Sequence, residues 1–150
     1  MPTVRTDREV IENRLVTVRR TVDCLGALGA VSVQRLADQP SIGLVIERDL
    51  WLIRDMASAI DVTIASMRGY PRSAGVYDAT VRAGVIDDAL AARLEPADGP
   101  HHVLLQLCLD TEPGEVEDVV SSAVSAFREY ARLATEWNSL DQSCAVSTPS

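Results

Sequence analysis

A repeating pattern of apolar residues in the middle of the chain constrains the fold more than any other feature. Its members follow one another at alternating spacings of four and three residues for three heptads: Ile46, Leu50, Ile53, Ala57, Ile60, Ile64 and Met67. This spacing places them on one side of an α-helix, which turns once in about 3.6 residues. A second apolar flank consists of Val45, Leu52 and Met56. We therefore predict a long helix from about Ser41 to Gly69 that contacts neighbours on more than one side.

Two other segments carry the same rhythm and are predicted to be long helices. The first runs from about Asp7 to Leu28, with Thr6 or Asp7 as its N-cap. Its apolar stripe consists of Ile11, Leu15, Val18, Val22 and Leu25. The last helix follows Pro113, and its stripe consists of Val116, Val120, Ala123, Phe127, Ala131 and Ala134. Cys24 lies beside the first stripe and is predicted to be a small core residue.

Shorter helices complete the predicted architecture. Capping and breaking signals place one helix from Ser73 to about Arg82, with Tyr77 inward, and another from Asp88 to Leu94. No segment alternates as a strand does, so we predict an all-α, up-and-down bundle of about five helices over residues 1–137. Residues 138–150 are polar and Ser-rich and are expected to be disordered. Long seams of this kind often pack a second copy of the same chain, which favours a homodimer.

Charge and cysteine content exclude several classes of protein. The net charge is −8, and all 14 basic residues are arginine, which argues against a broad nucleic-acid-binding surface. Cys24, Cys108 and Cys144 are odd in number and widely spaced, as in reduced intracellular proteins. The chain has neither an apolar signal core nor a membrane-spanning run, so we expect a soluble, cytoplasmic protein.

Five charged residues lie off the main stripe of the long central helix. They are Glu47, Arg48, Arg54, Asp55 and Asp61. We interpret most of them as a solvated face, because charges opposite an apolar stripe normally face water. A border of a cleft is an alternative for Arg54 and Asp55.

The stretch from Leu94 to Glu112 holds the candidate functional residues. It contains both histidines, His101 and His102, followed by Gln106 and Cys108. On one helix, His102 and Gln106 would be four residues apart, and His101 and Cys108 seven apart. Both pairs would then share a face, because these spacings bring side chains together. The stretch therefore predicts a small polar site on an apolar segment.

The order of motifs before this stretch resembles the HepT-like branch of the HEPN superfamily. After the long helix come Tyr-Pro-Arg-Ser (70–73), Ala-Gly-Val-Ile-Asp (83–87), Leu-Ala-Ala-Arg-Leu (90–94) and Pro-x-x-Gly (96–99). The resemblance covers residues 7–137 in pattern and is most specific from Glu47 to Asp110. It implies an all-helical homodimer, the toxin of a toxin–antitoxin pair whose antitoxin is an MNT-type nucleotidyltransferase.

The resemblance also implies a metal-independent ribonuclease without a cofactor. Its signature after the Pro-x-x-Gly break is Arg-Asn-x-x-x-His-x-Tyr. In this chain the four polar positions of that signature hold His101, His102, Gln106 and Cys108, and none of them matches. The sequence therefore keeps the pattern of the helices and changes the residues of the catalytic signature.

The substitutions bear directly on RNA cleavage, which needs a proton-exchanging group and a cation near the phosphate. Gln106 exchanges no proton at neutral pH, and His101 is charged only part of the time, its reference pKa being about 6.5. His101 and His102 would point about 100° apart on a helix. Arg93, before the Pro/Gly break, is a less well spaced substitute cation.

Three hypotheses about function follow from these residues. The first is a HepT-like protein that has lost cleavage and acts by binding its nucleotidyltransferase partner. The second is an active ribonuclease, with RNA as substrate, that uses His101 and His102. The third is a purely structural helical dimer.

Overall fold

The computed structural model of the chain describes residues 5–72, 75–95 and 115–146. Within these ranges there are six helices and no strands. They are α1 (Asp7–Ala27), α2 (Val33–Asp38), α3 (Pro40–Arg68), α4 (Asp78–Arg82), α5 (Asp88–Leu94) and α6 (Glu115–Val146). The predicted all-α class is therefore confirmed. The short helix α2 was not predicted, and α4 begins later than the helix predicted from Ser73, a residue outside the described ranges.

Helix α1 lies between the two longest helices. Its contacts with α3 and with α6 are the most extensive among the described elements. The start of α1 meets the end of α6, where Arg8 contacts Asn138, whereas Gly26 near its end approaches Arg128. Helices α1 and α6 are therefore antiparallel. In the described part of the chain α1 is the helix packed between two long neighbours. Helix α3 contacts α1, α2 and α4, so the prediction that it has neighbours on more than one side is confirmed.

The predicted apolar stripes form the core. Each stripe residue of α1 is buried, as are six of the seven predicted in α3, and Met67 packs against them half-buried. Helix α1 begins with a capping box, in which Thr6 and Glu9 each accept a hydrogen bond from the other's backbone N–H. Cys24 is exposed, so its assignment to the core was wrong. It follows Val22 by two residues and therefore points away from the buried stripe.

Helix α4 is capped by a side chain from a different helix. Asp61 of α3 accepts hydrogen bonds from the backbone N–H of Thr80 at 2.8 Å and from its hydroxyl at 2.7 Å. The N-cap residue of α4, Tyr77, makes no capping hydrogen bond with its own side chain. Asp61 is only 7% exposed, so its assignment to the solvated face was wrong. Its carboxylate therefore accepts from the first turn of α4, which the side chain of its own N-cap residue does not cap.

Helix α6 continues to Val146 and therefore includes residues 138–146 of the segment that was expected to be disordered. Asn138 is 2% exposed, and its side-chain amide donates to the backbone carbonyl of Arg8 at 3.2 Å. Arg8 donates in return to the carbonyl of Asn138 at 3.1 Å. These mutual bonds make Asn138 part of the packed bundle. Residues 147–150 of the predicted tail lie outside the described ranges.

Candidate functional site

The four residues at the signature positions lie outside the described part of the chain. His101, His102, Gln106 and Cys108 fall between the end of α5 at Leu94 and the start of α6 at Glu115. The polar site predicted for them therefore stays a prediction.

Arg93, weighed above as a substitute cation, is held by α6. Its guanidinium donates to the carboxylate of Glu129 at 2.7 Å and to the hydroxyl of Ser125 at 3.4 Å. Both members of the ion pair are 40–49% exposed at the side chain. The carboxylate already offsets the charge that a phosphate would need, so the pair favours a role for Arg93 in fixing α5 to α6.

Titratable groups do not form a metal site in the described ranges, where no group of three His, Cys, Asp or Glu side chains is placed to hold an ion. Burial raises the pKa of Asp61, and the hydrogen bonds from Thr80 oppose that shift. Both donors of Thr80 are used by this carboxylate. The most buried carboxylate of α3 therefore serves the fold. Among the helices described, none has the length and apolar character needed to cross a membrane.

The side of α3 that faces away from α1 is unusually apolar for an exposed surface. We call it the outer face and define it by Leu44, Arg48, Trp51, Asp55 and Val62. Leu44 is 56% exposed, Trp51 is 64% exposed and Val62 is 61% exposed. Single exposed apolar residues are common, whereas three in register along one helix form an apolar strip on the surface.

Opposite charges lie on both sides of Trp51 in this outer face. A shallow groove of about 560 Å³ is lined by Leu44, Glu47, Arg48, Trp51, Leu52 and Asp55. Neither Arg48 nor Asp55 belongs to an ion pair among the described residues. Burial raises the pKa of neighbouring Asp49, and Arg48 acts in the opposite direction. The groove thus offers an indole ring between a cation and an anion, which suits protein recognition better than phosphate binding.

A second groove, of about 540 Å³, lies between the end of α1 and α6. Its walls include Leu25, Gly26, Val31, Val120, Val124 and Arg128. Arg128 lies directly against α1, because a Cβ on Gly26 would be 2.6 Å from its Nη2 atom. A glycine at position 26 therefore permits the close approach of this side chain. The groove is mostly apolar, with one guanidinium at its edge.

Comparison of the chain with protein-family models gives no match, and comparison with the sequences of curated proteins gives none. The likeness to HepT-like proteins therefore rests on the ordered motifs quoted above.

The outer face of α3 was not identified from the sequence, although a signal for it exists. Leu44 and Trp51 are seven residues apart, and Val62 continues their register. The charges at positions 48 and 55 interrupt the apolar run, and from the sequence we interpreted only these charges, as part of a solvated face. Arg48, Asp55 and Glu47 do lie on or near this surface, whereas Asp61 does not. The signal in the sequence is a tryptophan, Trp51, in register with other apolar residues.

Proposed function

We propose that this protein acts by binding other proteins and does not cleave RNA. In this proposal it is a degenerate HepT-like protein, and its partners are an MNT-type nucleotidyltransferase and a second copy of the same chain. The observation that carries the proposal is the outer face of α3, where Leu44, Trp51 and Val62 are all more than half exposed. Aromatic and aliphatic anchors of this kind typically form the centre of protein interfaces.

The chemistry of the signature positions supports binding over cleavage. Gln106 stands where the resemblance requires the proton-exchanging histidine, and an amide side chain cannot act as an acid or base. Cys108 stands at the tyrosine position and offers no phenolic hydroxyl. The nearest substitute cation, Arg93, is paired with Glu129. Each change removes a group that RNA cleavage of this type uses.

One observation favours a second candidate function. The only two histidines of the chain are adjacent at the first two signature positions, His101 and His102. An imidazole titrates near neutral pH, so a pair of them can supply both an acid and a base. The alternative function is therefore a metal-independent ribonuclease toxin that uses these two residues.

An RNA cleavage assay separates the two functions. Purified protein is incubated with total RNA in the presence of a chelator, beside a His101→Ala/His102→Ala variant and a Cys24→Ser variant. Cys24 is exposed on α1 and serves as the matched control. We expect no cleavage from any of the three. Cleavage by the wild type and the Cys24→Ser variant that is lost in the double-histidine variant would establish the ribonuclease and reject our proposal.

The binding part of the proposal is tested by light scattering. The protein is mixed with a purified MNT-type nucleotidyltransferase encoded in the same genome, and the mass of the mixture is compared with the masses of the two components alone. A stable complex is the expected result. The absence of a complex with a folded transferase, at concentrations of about 50 μM, would reject this partner, since biologically specific complexes form well below that level.

A further inference from the structure

The outer face of α3 repeats the spacing of the buried face. Its stripe consists of Leu44, Arg48, Trp51, Asp55, Ser58, Val62 and Ala65, at alternating spacings of four and three residues. Both charged residues and the three large apolar residues are exposed, and the two small residues at positions 58 and 65 are half-buried. A stripe with this spacing is the seam along which two helices pack side by side. Helix α3 therefore carries two seams, and α1 covers one of them.

The charges of the outer face are placed so that two copies of this face, related by a two-fold axis, bring opposite charges together. Arg48 precedes Trp51 by three residues, and Asp55 follows it by four. A two-fold axis that passes between Trp51 and Leu52, perpendicular to the helix, brings position 48 opposite position 55. In a two-fold interface both copies use the same patch, so the contact between position 48 of one copy and position 55 of the other occurs twice.

We propose that the outer face of α3 binds the same face of a second copy, with the two α3 helices antiparallel. Arg48 of each copy then faces the partner's Asp55, and Trp51 lies at the centre beside the axis. The pairing deepens the proposed function, and rests on it, because it names the surface that the second copy covers.

The dimensions of the helix suit this pairing. At 1.5 Å per residue, Arg48 and Asp55 are separated by about 10 Å along the axis, and Leu44 and Val62 by about 27 Å. Packed helices approach to about 8–10 Å, a gap that the arginine side chain can span. Ser58 is small and half-buried, and because each copy contributes one, it permits close approach on both sides of the centre. The seam therefore has the large tryptophan side chain at its centre, an ion pair on each side of the centre, and the small Ser58 beyond each ion pair.

The charge of the molecule favours a second copy over other occupants. The chain carries −8 overall, so two copies repel unless the meeting surfaces contain opposite charges in matching places. The outer face contains such a match. A nucleic acid would meet the carboxylates of Glu47 and Asp55 in the groove, which repel phosphate. An acidic partner would meet the same two carboxylates.

Charge reversal tests the pairing directly. In Arg48→Asp, both contacts become carboxylate against carboxylate, and in Asp55→Arg both become guanidinium against guanidinium. We expect the wild type to be a dimer at about 20 μM and each single variant to dissociate with a constant on the order of 100-fold higher. Masses are measured by analytical ultracentrifugation over a range of concentrations. The matched control is Arg20→Asp, at an exposed position on α1.

Mixing the two variants gives the sharpest result. A heterodimer of Arg48→Asp with Asp55→Arg restores two opposite-charge contacts, because each protomer supplies two charges of one sign. We expect the mixture to form dimers at concentrations where each variant alone is monomeric. The doubly substituted chain, Arg48→Asp/Asp55→Arg, should also recover the dimer. Simple loss of folding in a variant would not be repaired by mixing, so circular dichroism and the mixture together separate the two causes.

Three results would overturn the proposal. The first is a wild-type protein that stays monomeric at about 50 μM. The second is a dimer whose dissociation constant is unchanged by Arg48→Asp, Asp55→Arg and Trp51→Ala, since a different surface would then hold the copies together. The third is a monomer whose complex with the nucleotidyltransferase is lost on Trp51→Ala, since the outer face would then bind that enzyme. The third result leaves the transferase-binding part of the proposed function standing and removes its dimer part, whereas RNA cleavage would remove the proposed function without affecting the dimer.

Discussion

The two sides of α3 each carry a stripe with four–three spacing, but the inner stripe is buried in the core and the large apolar residues of the outer stripe are exposed. On the inner side Ile46, Ile53 and Ile60 are completely buried, and on the outer side Leu44 and Trp51 are more than half exposed. The inner stripe is uniformly apolar, whereas the outer stripe is interrupted by polar residues at positions 48, 55 and 58. The uninterrupted stripe is used within the chain to form the core. The interrupted stripe has the composition of a reversible interface, in which charges select the partner and fix the register.

The largest difference between the two sides should appear in stability. Replacing Ile53 by Ala removes buried methyl groups from the centre of the core and should lower the free energy of unfolding by about 3 kcal/mol. Replacing Leu44 by Ala on the outer face should change it by less than about 0.5 kcal/mol. Urea unfolding measures both, with each variant made in the Arg48→Asp background to remove any contribution from dimer formation. Equal losses at the two positions would mean that the outer face belongs to the core.

A smaller loss is expected at Asp61, the polar residue on the inner side. Thr80 is completely buried. Replacing Asp61 by Ala leaves the backbone N–H and the hydroxyl of Thr80 without their acceptor. We expect the free energy of unfolding to fall by about 2 kcal/mol. The matched control is Asp61→Asn, which keeps a side-chain carbonyl for the same donors and should lose less. An alanine variant as stable as the wild type would show that Asp61 does not hold α4.

The pH dependence of Asp61 should be the weakest effect. Burial raises the pKa of its carboxyl above the ordinary value of 3.8, and hydrogen bonds from Thr80 oppose the shift. The folded state therefore keeps the proton at pH values where the unfolded chain has lost it. As the pH rises from 3.8 through the folded pKa, the wild type should lose stability relative to Asp61→Asn. A wild type that gains stability over this interval, relative to the variant, would show that the hydrogen bonds outweigh burial.

Much of the fold follows from apolar periodicity alone. The stripes of α1 and α3 predicted their buried residues because four–three spacing places an uninterrupted set of apolar residues on one side of a helix, and that side packs in the core. Predicting Cys24 as core failed because nearness to a stripe in sequence is not the same as sharing its direction. Predicting Asp61 as solvated failed because its partner, Thr80, lies nineteen residues away on another helix. A charged residue that caps a distant helix leaves no local signal.

The candidate site was less predictable than the fold. A residue type such as the histidine at position 101 indicates possible chemistry, and only neighbouring groups decide whether that chemistry takes place. For Arg93, the structure supplied the neighbour, Glu129, that the sequence could not. For the outer face, Trp51 was visible in the sequence, but its exposure depends on which side of α3 is covered by α1. Exposure is a property of the packed bundle, so no local pattern defines it.

The accessibility of Trp51 at different protein concentrations tests the outer face most directly. In a Trp137→Phe variant Trp51 is the only tryptophan, and its fluorescence can be quenched by acrylamide from the low nanomolar range to about 50 μM. We predict strong quenching of the separated chains, in which the ring is 64% exposed, and protection that rises in step with the dimer mass. Strong quenching that stays constant while the mass doubles would place the dimer contact elsewhere and contradict the pairing of the outer faces.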